Sequence, residues 1–166
     1  MNAKARPHGF VTKTFHWLTG GLLVYGYVNG VEDVGQLADP AVFQTEIIFA
    51  AALGLVFAAR LAWTRLTGGE SRLPAAAPAW ERKAARVVHI GLYASVFGIV
   101  LSGLAIAWAY ATPALSGLAL TLFLGLHEAA LVATVLLLMV HIAGALWHKF
   151  VRRDGVLESM TGKLPV

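Results

Sequence analysis

Four apolar stretches alternate with short polar breaks along the chain, at about residues 14–31, 41–66, 81–111 and 118–151. A helix needs about 20 apolar residues to cross a bilayer, so each stretch reads as a span. The third and fourth are longer and are expected to tilt or protrude into water. The breaks carry turn chemistry: Glu32-Asp33-Val34-Gly35 through Asp39-Pro40, Thr67-Gly68-Gly69-Glu70-Ser71 with Pro74 and Pro78, and Thr112-Pro113 through Ser116-Gly117. The second break is rich in Ala and Pro and is expected to be extended. The pattern predicts an all-α, polytopic membrane four-helix bundle, with residues 1–166 forming one domain.

Composition sharpens this picture. Of 166 residues, 58% are hydrophobic and only 13% charged, against roughly a quarter charged in soluble domains. There is no cysteine, which excludes disulfides, thiolate metal sites and covalent haem attachment through Cys-x-x-Cys-His. No Ala-x-Ala cleavage site follows the first apolar run, so that run reads as a retained span.

The basic residues cluster at span ends. Lys4, Arg6 and Lys13 precede the first span, Arg60, Arg65, Arg72, Arg82, Lys83 and Arg86 flank the second break, and Lys149, Arg152 and Arg153 follow the fourth span. The first break is acidic and the third uncharged. By the positive-inside rule both termini and the second break are cytoplasmic in a multi-pass membrane protein. The net charge of +4 is then a matter of topology, and nucleic-acid binding has no other support.

Imidazoles supply the candidate chemistry. From Ala114 to Trp147 the only ionisable side chains are His127, Glu128 and His141. Their fourteen-residue spacing puts His127 and His141 on nearly one face of a helix, roughly 20 Å apart. Counting depth from the span ends puts His16, His89 and His141 in the cytoplasmic half and His127 alone in the outer half. Buried imidazole in a bundle either hydrogen-bonds a neighbour or binds something, and haem iron takes neutral imidazole. His16 and His141 are the expected iron ligands, with His127 a further candidate. His89 is expected to support a ligand or contact a quinone. His148 reads as a solvated interfacial residue within reach of a propionate, and His8 as an uninvolved tail. Gly20, four residues after His16, and Gly144, three after His141, are candidates for clearing space for a porphyrin. Arg60 and Arg86 read either as snorkelling anchors or as partners of haem propionates.

Several of these residues fall in ordered motifs. They are Thr14-Phe15-His16-Trp17, Ala59-Arg60-Leu61, Val88-His89-Ile90-Gly91-Leu92-Tyr93, Leu126-His127-Glu128 and Val140-His141-Ile142-Ala143. The set resembles the bacterial cytochrome b561 family, four-helix membrane proteins that hold haem b, over nearly the whole chain. The resemblance implies that the fourth helix gives one ligand to each of two haems, with His16 pairing His141 at the cytoplasmic side. The second helix would supply the partner of His127. Counting back from Arg60, that position is Thr45, and the second helix has no histidine. The outer haem is then absent, held by His127 alone, completed by Glu46, or completed by a partner chain or bound ligand. Loss or alteration is favoured.

The resemblance further implies single-electron transfer between a quinone, with ubiquinone a candidate, and another redox partner: superoxide, a dehydrogenase or a cytochrome c. Such a chain is an oxidoreductase-type electron carrier, alone, as a homo-oligomer, or as the cytochrome b subunit of a larger redox enzyme. The competing reading is a degenerate, largely structural membrane subunit that anchors a larger complex. No hydrolytic or nucleophilic arrangement is legible around Ser95, Ser102 or Ser116.

Overall fold

The computed structural model describes Ala5 and residues 7–67, 73–74, 77–115 and 117–162. Most of the second break, with Gly68 to Arg72, lies outside the described residues, as do Lys4, Arg6 and Ser116. Four long helices follow in order: α1 (Phe10–Asn29), α2 (Pro40–Leu66), α3 (Ala79–Ala111) and α4 (Leu118–Trp147). A short α5 (Val156–Thr161) ends the described chain. Among the described residues there is no strand.

Local chemistry sets the ends. Asp39 caps α2, its carboxylate accepting from Ala41 N at 2.8 Å, and Pro40 fills the first helical position, where no amide is needed. Between α1 and α2, Asp33 and Gln36 form a reciprocal capping box around the short turn Val34–Ala38. α4 starts after Gly117, whose φ of 105° is a conformation that side chains disfavour.

α2, α3 and the stretch Leu118–Arg152 are each long and apolar enough to cross a membrane. The chain is thus an all-α membrane protein. α1 is not among these three: its 20 residues include Lys13, His16 and Asn29. The sequence pattern counted it as a span on length; its polar content sets it apart.

The packing is uneven. α3 lies most closely against α4, α2 packs on α3, and α1 packs on α2. Leu53 and Phe57 of α2 with Val96 and Val100 of α3 form the buried core, flanked by Leu22 and Leu23 of α1. Glycines permit the close α3–α4 approach: an added Cβ at Gly91 would meet Leu137 at 3.0 Å, and one at Gly98 would meet Ala130 at 3.3 Å. α1 has no comparable contact with α4. Thr134 is the only residue of α4 that is buried, so much of this helix away from α3 faces outward.

The far end is closed by charged pairs. After α4 a π-helical turn (His148–Arg152) and left-handed Arg153 (φ 53°) reverse the chain. Arg152 Nε donates to buried Glu81 Oε1 at 2.8 Å, and Lys149 pairs with Glu158. Ala5 N donates to Asp154 O at 2.9 Å and His8 N to Ser159 O at 3.0 Å, so the two terminal segments meet. His148 differs from the sequence expectation of a solvated residue. It is buried, with Nδ1 2.7 Å from Asp154 Oδ2, because the chain reversal folds that carboxylate back over it.

Candidate functional site

All four long helices contribute a side chain to one cluster toward the end where the termini meet. α1 places His16 there, and α4 places His141, with ring centres 6.1 Å apart and planes inclined at 48°. α3 adds His89, whose ring centre is 5.2 Å from that of His141 and which remains exposed. α2 adds Arg60. Its Nη1 donates to Thr19 Oγ1 at 2.6 Å and its Nη2 lies 3.3 Å from His16 Nδ1. The guanidinium carbon stands 5.8 Å from the centre of the Tyr93 ring. Arg60 thus turns inward; it does not snorkel toward the membrane surface.

The geometry can be tested against a haem held by two imidazoles. Metal–imidazole bonds of about 2 Å, plus about 1 Å from nitrogen to ring centre, put two such rings roughly 6 Å apart. His16 and His141 meet this spacing, between α1 and α4, which approach less closely than α3 and α4 do. His89 and His141 do not. Their rings are closer, and they belong to α3 and α4, whose backbones leave no gap for a macrocycle. Gly20 and Gly144 agree with this assignment. A Cβ added at either meets nothing within 4 Å, as is also true of Gly21 and Gly125, whereas Gly26, Gly54, Gly91 and Gly98 face a neighbouring side chain. The ring spacing of His16 and His141 is compatible with a haem b held between α1 and α4.

The other candidate is farther along α4. His127 faces α3, with Nδ1 2.9 Å from Ser102 Oγ, and an added Cβ at Gly103 would meet its ring at 3.4 Å. No imidazole stands opposite. On α2 the Thr45 hydroxyl donates to its own helix at Ala41 O, 2.7 Å away. Glu46 and Thr45 line a shallow groove of about 360 Å³ with Asn29, Val31 and Gln36 at the loop end. Helical spacing puts Glu46 on the stripe that carries Leu53, Phe57 and Arg60, one residue from the position counted in the sequence. These residues do not fit a second haem between two imidazoles.

Sequence reasoning missed Thr19 and Ser102, the hydroxyl partners of Arg60 and His127. Thr19 is three residues after His16, a spacing that shares a helix face, so it was recoverable. Ser102 reaches His127 only through the α3–α4 contact and had no local signal.

The family model of the prokaryotic cytochrome b561 matches residues 7–163. No curated protein and no solved structure matches the chain. The chain belongs to the prokaryotic cytochrome b561 family, whose members are membrane haem b electron-transfer proteins.

Proposed function

We propose that this chain is a one-haem cytochrome of the bacterial inner membrane that passes single electrons between a quinone and a second redox partner. The observation that carries the reading is the 6.1 Å separation of the His16 and His141 rings between α1 and α4. Haem b bound there would supply a one-electron carrier.

The chain's own residues do the rest. His16 and His141 would hold the iron, and Gly20 and Gly144 would leave room for the ring. Arg60 offers a cation to a propionate. Exposed His89 at the edge of the cluster can exchange a hydrogen bond, and a proton, with a quinone carbonyl. α1 completes a four-span bundle beside α2, α3 and α4. Basic residues at the closed end orient both termini to the cytoplasm. The second partner is superoxide, a dehydrogenase or a cytochrome c, met by the chain alone, as a homo-oligomer, or as a subunit of a larger redox enzyme.

Haem quantitation as the pyridine haemochrome on purified protein tests this. The expected value is one haem b per chain, lost in His141→Ala and lost or converted to a five-coordinate form in His16→Ala. No Soret absorbance in the intact protein would instead favour a structural subunit, a reading to which the Ser102 bond of His127 lends support.

A further inference from the structure

Glu128 is the only acidic residue of α4, and it faces out of the bundle. Its neighbour His127 turns the other way, to Ser102 of α3. Helix geometry puts Glu128 deep in the span. It lies about 15 Å along α4 from Leu118, and Ser102 lies about 13 Å along α3 from Ala111. The distance to the other end of α4, at Trp147, is greater still. In a hydrocarbon core about 30 Å thick, the carboxyl is roughly two turns or more from water. A glutamate side chain is too short to reach that far. Among the described residues Glu128 has no hydrogen bond or ion pair.

The carboxyl sits in a seam. Thr121, Gly125, Glu128, Val132, Val135 and Met139 follow one another at alternating intervals of four and three, and all are exposed. That is the spacing by which two helices pack as a left-handed pair. The seam lies opposite Ala130 and Leu137, which meet Gly98 and Gly91 of α3, and away from His127 and His141. At Gly125 an added Cβ meets nothing within 4 Å, so another backbone can come close. Lipid would satisfy an apolar seam. It does not satisfy Glu128, because hydrocarbon offers a carboxyl neither a donor nor a counter-charge. A second copy of the chain lacks the counter-charge too. From residue 14 to 59 and from 87 to 148, which include every span at this depth, the chain has no Lys or Arg.

We propose that the α4 seam centred on Glu128 docks a transmembrane helix of a different subunit, which presents a lysine or arginine to the carboxylate. Each charge offsets the cost of holding the other in hydrocarbon, where their attraction is little screened. The pair fixes the depth and rotation of the incoming helix, and the small and β-branched seam residues take its side chains. This docking makes the chain a subunit of a larger assembly, one of the arrangements named above. It requires only that α4 spans a membrane, so it stands apart from the haem.

The full-length chain in lipid vesicles tests this against a synthetic partner: a leucine–alanine transmembrane helix with one lysine at the matching depth, and the same helix with leucine there. Energy transfer between a dye on the chain and one on the peptide reads association. The wild type is expected to bind the lysine helix on the order of tenfold more tightly than the leucine helix, the size of a polar contact between membrane helices. Glu128→Leu is expected to bind both alike. Val135→Trp, which crowds the seam but keeps the carboxylate, is expected to weaken binding of the lysine helix. Equal binding by the wild type, or a lysine preference that survives Glu128→Leu or Val135→Trp unchanged, overturns the proposal. Energy transfer between copies of the chain that Glu128→Leu abolishes assigns the seam to a second copy and overturns it as well. SDS unfolding of the chain alone is the check on folding. Glu128→Leu is expected to keep or raise the midpoint; a lower midpoint gives Glu128 a partner within its own chain and overturns the docking surface. A haem count of one or none leaves each of these outcomes unchanged, so the two proposals fail separately.

Discussion

His16 and His141 lie on the first and fourth long helices, yet their ring centres are 6.1 Å apart. His89 is nearer to His141, at 5.2 Å, but stands beside it on the tightly packed neighbour α3. Under the proposed ligation by His16 and His141, the nearer ring is not the ligand. His89→Gln is expected to retain full haem content and a low-spin spectrum, and to impair electron exchange with a quinone analogue. Loss of the low-spin form in that variant would make His89 an iron ligand.

Glycines divide into two classes that substitution distinguishes. Gly20→Leu and Gly144→Leu place bulk where a Cβ meets nothing. Both are expected to leave the bundle folded, while haem content falls severalfold. Gly91→Leu puts bulk into Leu137, whose Cδ1 is already 3.0 Å from an added Cβ. It is expected to lower the unfolding midpoint instead, since overpacking costs about 1–3 kcal/mol. Titration with SDS, read by circular dichroism beside the Soret absorbance, separates the two effects.

The charged closure at the terminal end makes an asymmetric prediction. Glu81 is buried, its side chain 4% exposed, whereas its partner Arg152 is 39% exposed. Removing Arg152 strands a buried carboxylate; removing Glu81 leaves a cation that reaches water. Arg152→Ala is expected to cost about 2 kcal/mol or more, Glu81→Ala less. The double variant Glu81→Gln with Arg152→Ala is expected to recover much of the loss. Equal costs for the two single variants would refute this account. The same closure joins the terminal segments through Ala5 with Asp154 and His8 with Ser159. Reporters fused to either end are therefore expected to lie on the same side of the membrane.

Much of this was legible from residue pattern, for physical reasons. Apolar runs bounded by Asp39-Pro40 and by Gly117 fix helix ends locally, through a cap, a preset φ and a positive φ. Histidines stand out because little else in these helices ionises. The direction of Arg60 was not legible: snorkelling and an inward turn differ only in the partners on α1 and α3, Thr19 and Tyr93. The burial of His148 depends on a chain reversal with a left-handed Arg153, a backbone state that sequence pattern does not announce for arginine. α5 was hidden because six residues carry too little periodicity.

His127 provides the sharpest test of cofactor number. Its Nδ1 and the Ser102 hydroxyl are 2.9 Å apart, and an imidazole on α2 to share an iron with it is missing. If this bond is the whole role of His127, removing either partner breaks the same interaction. His127→Ala and Ser102→Ala are each expected to lower stability, with a shared coupling of about 0.6 kcal/mol, the usual size for a hydrogen bond between membrane helices. The double variant is expected to cost less than the sum of the two. Haem content is expected to stay at one per chain in all three. A fall from two haems to one in His127→Ala, with Ser102→Ala unchanged, would assign His127 to an iron and overturn the one-haem reading.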